Sequence, residues 1–223
     1  MYKRLETIAT MVPKGCILAD IGTDHAQLPI MLVKNGVCEK IYACDEKKGP
    51  LAIAKENIAK ENLSDKIETI LSDGFSNIPM DINVAVIAGM GYYTAEMILE
   101  NAKNRLDLLD RIIVQINLDS PYMRKWISDH HYKIYDEKYI SERNKDYEII
   151  SFSTKETQKE LTEEEIFLGP ILMNEHSHEL EKYYKKREAK LFDLLKLKSK
   201  DDISYEITSK QYRILNEYNK KTW

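Results

Sequence analysis

The chain has 223 residues, a formal net charge of -4 and 43% hydrophobic residues, enough to bury the core of one α/β domain and carry a small appendage. No apolar run approaches the roughly 18 residues that a membrane span needs, and the opening Met1 to Thr7 lacks the apolar core of a secretory signal, so a cytoplasmic protein with no membrane partner is expected. Cys16, Cys38 and Cys44 form no Cys-x-x-Cys pair; a disulfide framework, a zinc knuckle and a metal site are all unsupported, and the thiols read as small core residues.

Leu5, Ile8, Ala9 and Val12 give a short amphipathic helix stopped by Pro13 and Gly15. From about residue 17 to 155, short β-branched runs alternate with helical patterns, as in a parallel sheet covered on both faces. Ile17–Asp20, Lys40–Asp45, Ile67–Leu71, Val84–Ala88 and Arg111–Asn117 are the expected strands, mostly continuous apolar runs. Leu28–Asn35, Pro50–Asn62, Thr94–Lys103 and Pro121–His130 have apolar residues three and four apart and read as helices. Tyr132–Tyr139 and Asp146–Ser153 alternate around the polar segment Ser141 to Lys145, predicting an antiparallel hairpin that closes the sheet.

Beyond Thr154 the chain becomes charged and helical. Thr162 and Glu165 fit a capping box, and Gly169-Pro170 breaks one helix and starts the next. Leu180, Tyr184, Leu191, Leu194 and Leu195 recur at near-heptad spacing, as do Ile203, Ile207, Ile214, Leu215 and Tyr218, on either side of Ser199 to Asp202. A helical hairpin packed as a short antiparallel coiled coil is expected, giving domains 1–155 and 156–223. The overall charge hides a basic stripe: Lys182 to Lys200 holds eight basic and two acidic residues, a local +6. Such a stripe suits phosphates, with Lys185, Lys186 and Arg187 as candidate contacts; a solvated helix face would explain the same charges.

In open parallel sheets, ligands sit beyond the carboxyl ends of the strands, where strand order reverses. The first such end reads Asp20-Ile21-Gly22-Thr23-Asp24-His25. Gly22 permits a tight turn, but Asp24 and Ala26 stand where a dinucleotide loop would have further glycines. A second carboxylate there would repel a pyrophosphate. It suits S-adenosylmethionine, which carries an ammonium and a sulfonium. Asp45 ends the second strand, where a carboxylate can accept from ribose hydroxyls, and Asp73 with Gly74 ends the third, where adenine can be accommodated. The fourth ends in Ala88-Gly89-Met90-Gly91 followed by Tyr92 and Tyr93, bringing backbone near the reacting centre. Asp at a strand end often merely caps a turn or helix, and Asp24 has that alternative before the helix near Ala26; three carboxylates at successive strand ends favour a cofactor site.

Leu18 through Ala26 with Leu28-Pro29, Gly49-Pro50 with Asn57, Asp73-Gly74, Ile87 through Gly91 and Gly169-Pro170 resemble the bacterial TrmK family. The resemblance covers nearly the whole chain and is strongest from Lys3 to Gly91. It implies a Rossmann-like class I methyltransferase domain, a parallel sheet with an antiparallel terminal hairpin, joined to a C-terminal helical hairpin. The implied reaction methylates N1 of the adenine at position 22 in the D arm of tRNA, with tRNA as partner and S-adenosyl-L-methionine as cofactor. By that resemblance Asp20, Gly22, Asp45 and Asp73 fall on cofactor positions and Asp24 on the catalytic one. Gly74, Ala88 and Gly89 join the cofactor set, and His25, Met90, Gly91, Tyr92 and Asn117 the side facing the base. Tyr92 replaces the glycine usual in the family, and Gln115-Ile116-Asn117 replaces its Gln-Pro-Asn.

A neutral adenine already has a lone pair on N1, so catalysis is chiefly alignment in a dry pocket. Asp24 would stabilise the charge that methylation leaves on the base, and Tyr92 or Tyr93 would form a wall for the extruded ring. A monomer is expected. The alternatives are a methyltransferase for another RNA base or a small molecule, and a non-catalytic S-adenosylmethionine-binding interaction module.

Overall fold

The computed structural model describes residues 3–223, and the chain divides into two compact units, Met1–Glu160 and Leu161–Trp223. In the first, α1 (Lys3–Met11) leads to β1 (Cys16–Ile21), α2 (Gln27–Lys34), β2 (Cys38–Asp45), α3 (Lys48–Lys60) and β3 (Ile67–Leu71). There follow β4 (Val84–Met90), α4 (Tyr92–Asn101), the short α5 (Lys103–Leu106), β5 (Arg111–Ile116), α6 (Ser120–Asp129), β6 (Tyr132–Glu142) and β7 (Lys145–Thr157). The strands make one seven-stranded sheet in the order β3-β2-β1-β4-β5-β7-β6. β1 to β5 are parallel, and β7 runs antiparallel to both of its neighbours.

Each expected parallel strand forms, Ile67–Leu71 with the same ends and the others with ends shifted by at most two residues. For β1, β4 and β5 the reason is burial on both faces. Leu18, Val84, Val86, Ile113 and Ile149 join a core with Ile8 of α1, Leu32 of α2 and Ile58 of α3. The alternate residues Ala19, Ala85, Ile87, Ile112 and Val114 are just as completely buried, and α4 and α6 pack on β4, β5 and β6. A strand with two buried faces is apolar throughout, and that is the pattern the sequence displays.

Strand order reverses between β1 and β4, which lie side by side while the chain passes outward through β2 and β3. The crevice this opens lies beyond the carboxyl ends of β1 and β4. The closing hairpin is tighter than the five-residue turn expected from Ser141 to Lys145. Pairing runs to Glu142 opposite Lys145, and only Arg143 and Asn144 turn, both with positive φ, +51° and +61°. That is the left-handed pair of a two-residue hairpin whose twist matches its strands.

In the second unit, α7 (Glu163–Leu168) opens with the expected capping box: Glu165 N donates to Thr162 Oγ1 and Thr162 N to Glu165 Oε2. Gly169-Pro170 ends α7, but the long helix does not begin there. A 3₁₀ turn at Leu172–Asn174 intervenes before α8 (His178–Leu197), which Ser177 caps. α9 (Ile203–Thr222) returns antiparallel to α8, because Tyr184 meets Tyr218, Glu188 accepts from Asn216 and Asn219, and Phe192 meets Tyr212.

The apolar stripe seals only part of this helix pair. Leu180, Tyr184, Leu191, Leu215 and Tyr218 are buried, whereas Leu194, Ile203 and Ile207, expected in the same seam, are exposed. Near the connection, Lys198 Nζ donates to Ser204 O and Thr208 Oγ1. A polar tie stands there where apolar packing was expected. β7 extends through Thr157, past the 155/156 boundary suggested by composition, and the two units divide at Glu160 and Leu161.

Candidate active site

A cavity of about 630 Å³ opens at the reversal point. Asp20, Gly22, Asp24 and His25 line it from the end of β1, Asp45 from β2, Asp73 and Gly74 from beyond β3, and Ala88, Gly89 and Met90 from β4. Thus every residue the sequence assigned to the cofactor reaches one cavity. Gly91, Tyr92 and Asn117 lie outside its lining, as do Lys185, Lys186 and Arg187, which belong to α8 in the second unit.

The loop after β1 is pinned on both sides. Gly22 N and Thr23 N each donate to Cys44 O at 2.8 Å, tying it to β2. Asn57 of α3 donates its side-chain amide to His25 O at 3.1 Å. Gly22 has φ +77°, and a Cβ there would come within 2.3 Å of Met90 Cε. The positive φ is what calls for glycine, whereas the Met90 methyl is the end of a flexible side chain that can swing aside.

Asp24 also has positive φ, +50°, a costly conformation for a residue with a side chain. Its carboxylate is 68% exposed and makes no hydrogen bond among the described residues; His25 Nε2 lies 3.6 Å away. The helix-cap alternative therefore fails: α2 takes Ala26 as its N-cap, with no side-chain cap. A strained, outward-facing carboxylate at the mouth of a cavity is placed for a ligand.

Asp20 is its opposite, being buried. Burial pushes its carboxyl up to about 6, against the opposing pull of the Thr23 hydroxyl and the Arg4 charge. Such a group gains from a cation placed beside it. Asp45 Oδ1 accepts from Lys47 N at 2.9 Å, which fixes the carboxylate at the strand tip. Gly74, at φ +53°, leaves room that a Cβ would fill against the Ile98 side chain at 3.3 Å.

These residues fit S-adenosylmethionine. The buried Asp20 suits its cationic amino-acid end, Asp45 and Asp73 suit hydroxyl and amino donors, and Gly74 leaves space for a flat ring. The Thr23 hydroxyl is buried beside the Asp20 carboxyl, whose charged form it favours.

Sequence reasoning missed several lining residues. Arg4 comes from α1, and Met97 and Ile98 come from α4; nothing in their local sequence marks them. It also placed Tyr92 differently. α4 begins at Tyr92 rather than Thr94, with Gly91 as its N-cap. The Tyr92 hydroxyl donates to Glu96 Oε1 at 2.7 Å, and its ring packs against Tyr93 and Tyr122. Burial and the Glu96 carboxylate both push its phenol up. The exposed aromatic surface is formed by Tyr93 and Tyr122, which are 80% and 58% exposed.

Asn117 acts on the site through backbone. Its side-chain amide donates to Gly89 O at 2.7 Å, and its main-chain N–H to Met90 O at 2.9 Å. Gln115 stands behind it: Oε1 accepts from Gly89 N at 3.2 Å, and Nε2 donates to Asn117 Oδ1 at 3.3 Å. These two side chains set the shape of the Gly89-Met90-Gly91 segment.

On α8, Lys185 and Lys186 are exposed and Arg187 is half-buried. Lys185 pairs with Glu181, while the Arg187 guanidinium lies 4.1 Å from the Phe167 ring centre. Among the described residues, no group of three or more His, Cys, Asp and Glu is placed to hold a metal ion, and no helix is long and apolar enough to cross a membrane.

Residues 18–219 match the family model described as TrmK: tRNA (adenine(22)-N(1))-methyltransferase. The tRNA (adenine(22)-N(1))-methyltransferase of Bacillus subtilis (strain 168) is 35% identical over 151 residues, 67% of this chain. That match takes in 63% of the Bacillus chain, less than two thirds of its length. Among solved structures, Mycoplasma capricolum TrmK in complex with S-adenosylhomocysteine is 29% identical, with a TM-score of 0.87 over 99% of this chain and 98% of that one. Streptococcus pneumoniae Sp1610 in complex with S-adenosyl-L-methionine is 30% identical, with a TM-score of 0.88 over 97% of this chain and 98% of that one. With the family model matching nearly the whole chain and the carboxylates of the Asp20 to His25 turn in one cavity, this chain belongs to the TrmK family of tRNA (adenine(22)-N(1))-methyltransferases.

Proposed function

We propose that this chain transfers a methyl group from S-adenosylmethionine to N1 of the adenine at position 22 of tRNA, with Asp24 as the catalytic carboxylate. The observation behind this reading is the pair of contrasted aspartates on one pinned turn: Asp20 buried inside the cavity and Asp24 strained and exposed at its mouth. Two carboxylates in opposed environments take different tasks. When bound, S-adenosylmethionine supplies a methyl group on an electron-poor sulfur. The chain supplies position and charge.

Asp20 meets the cationic amino-acid portion of the donor, while Asp45 and Asp73 orient its nucleoside. Gly89 and Met90, shaped by Gln115 and Asn117, border the site from β4. The target base presents its N1 lone pair and needs no deprotonation. Methylation leaves the base positively charged, and the Asp24 carboxylate, facing the N6 amino side, stabilises that charge as it develops. His25 lies beside Asp24 and borders the same opening.

A base taken out of a folded tRNA loses its stacking partners, and an aromatic surface replaces them. Tyr93 and Tyr122 offer such a surface, with Tyr92 as the half-buried ring beneath them. Lys185 and Lys186 hold tRNA phosphates, as exposed cations on one helix can.

The test is transfer of labelled methyl from S-adenosylmethionine to unmodified tRNA, followed by mapping of the modified nucleotide. Label is expected at adenosine 22. Label at another nucleotide would move the substrate while keeping the chemistry, and cofactor binding without transfer would favour the interaction module. Asp24→Ala is expected to lower turnover by roughly 100-fold or more, the scale of removing one charge interaction from the transition state, with cofactor affinity nearly unchanged. Near-normal turnover would remove Asp24 from the chemistry.

A further inference from the structure

Two thiols that take no part in the cavity meet at the opposite end of the sheet. Cys16 opens β1 and Cys38 opens β2, whereas the cavity lies at the carboxyl ends of the strands. The two strands are parallel, and Cys16 pairs with Cys38 across the ladder. At the next step the register slips and Ile17 pairs with Lys40, so Glu39 is an extra residue in β2. A bulge re-aims the side chains beside it, and here the two sulfurs lie 3.0 Å apart. Gly15 N donates to Val37 O at 2.7 Å, which fixes the two strand starts against each other one residue earlier.

This geometry is close to that of a bonded pair. Neighbouring strands run about 4.8 Å apart, within the roughly 4.4–6.8 Å that a disulfide spans between Cα atoms. An S–S bond is about 2.0 Å long, so the sulfurs need to approach by only about 1 Å more. Both cysteines are free thiols, and the shared hydrogen bond makes them unequal. The Cys38 S–H draws the Cys16 thiol below its ordinary value against the pull of burial, while the same bond and burial push Cys38 up. Burial also pushes up the third thiol, Cys44, which donates to Tyr42 O at 3.4 Å.

The pair is 1% and 6% exposed, but Lys14 and Gly15 before Cys16, Asn35 and Gly36 before Val37, and Glu39 are all exposed. The sulfurs therefore lie just beneath the surface, within reach of a small oxidant and closed to a bulky one.

We propose that Cys16 and Cys38 are a redox modification site, which hydrogen peroxide converts to a disulfide that staples β1 to β2. The Cys16 thiolate attacks a peroxide oxygen, the O–O bond breaks, and the departing hydroxide takes up the proton that Cys16 released; Cys16 is then a sulfenic acid. The Cys38 sulfur attacks the Cys16 sulfur, the S–O bond breaks, and the second hydroxide leaves with the Cys38 proton. Two thiols lose two electrons and two protons, and one peroxide becomes two waters. The closed loop holds the Asp20 to His25 turn and α2, so the staple restrains the unfolded form of the stretch that builds the cavity wall.

Intact-mass measurement and thiol titration on the peroxide-treated full chain test this. The mass is expected to fall by about 2 Da, as two thiols become a disulfide, and titratable thiols to drop from three to one. Peptide mapping should join Cys16 to Cys38, and a dithiol reductant should reverse the change. The Tm of the oxidised chain should rise by about 5 °C or more. Cys38→Ser, which keeps a hydrogen-bond donor beside Cys16, should gain oxygen at Cys16 without the rise in Tm, and Cys16→Ser should leave Cys38 unoxidised.

Three thiols surviving a peroxide dose that oxidises a free thiol peptide in the same tube would overturn the assignment. So would a crosslink through Cys44, oxygen added to wild-type Cys16 without a crosslink, or a crosslinked chain whose Tm does not rise. These four readings come from the wild-type chain, so they decide the matter even if either serine variant fails to fold.

Discussion

Asp20 sets function against stability within a single side chain. Its carboxyl titrates near 6 in the folded protein rather than at the ordinary 3.8, because burial disfavours the charged form. The folded state therefore holds a proton that the unfolded chain has already released between those two values. Stability of the ligand-free protein falls as pH rises from about 4 to about 6 and is level above, with a loss on the order of 3 kcal/mol at neutral pH. A bound cation offsets this loss. Affinity for S-adenosylmethionine is thus expected to weaken as pH drops through about 6, and Asp20→Asn should raise the ligand-free Tm at pH 7.5 while lowering cofactor affinity. Thermal melts with and without cofactor at pH 5 and pH 7.5 check both signs; a Tm lowered by Asp20→Asn would contradict the account. The exposure and strain of Asp24 were invisible in a sequence that showed only an acidic residue two positions after Gly22.

The strand ends and the hairpin show what an element contributes. Asp20 could be read in advance because a strand buried on both faces is an apolar run and a polar residue at its end stands out; Asp73 follows the edge strand β3, of which only Ile67 is buried, and was marked by Gly74 beside it. The helix boundary at Tyr92 could not be read, because Gly91 and two tyrosines are equally compatible with a loop; the hydrogen bond from Ala95 N to Gly91 O fixes it. α6 offers the clearest energetic test. Arg124 is fully buried and donates to Glu137 Oε1 at 2.6 Å and Glu148 Oε2 at 2.7 Å, tying α6 to β6 and β7. Removing the guanidinium strands two carboxylates away from water. Arg124→Met is expected to cost roughly 3–5 kcal/mol in urea unfolding, and adding Glu137→Leu and Glu148→Leu should recover most of it. No recovery would mean that the cost comes from packing rather than from the buried charges.

At the scale of the whole molecule, the net charge of -4 conceals a cationic helix. α8 carries Lys185 and Lys186 at its surface, whereas Arg187 is engaged with Phe167. Lys185→Glu with Lys186→Glu should weaken tRNA binding and make its logarithmic salt slope shallower by about 2, roughly one unit for each phosphate no longer neutralised. Arg187→Glu should instead destabilise the second unit by removing its packing on the ring. Binding isotherms across a salt series, alongside melting curves, separate the two effects. An unchanged slope in the double lysine variant would reduce the stripe to a solvated helix face.

The sequence by itself determined the alternation of strands and helices, the hairpin that closes the sheet, the pairing of Thr162 with Glu165 and the carboxylates at the strand tips, because each depends on neighbours a few residues apart. It also marked the turn from Asp20 to His25, which lines the cavity beyond β1. Only the tertiary structure decided which residues meet across distance: Arg4 reaches Gln115 more than a hundred positions along the chain, and Cys44 O fixes the turn that presents Asp24. It also decided that Ile203 and Ile207 stay exposed although their spacing matches that of the buried residues of the helix pair. Periodicity reports which face of an element is apolar, but only the folded arrangement determines whether another surface arrives to cover it.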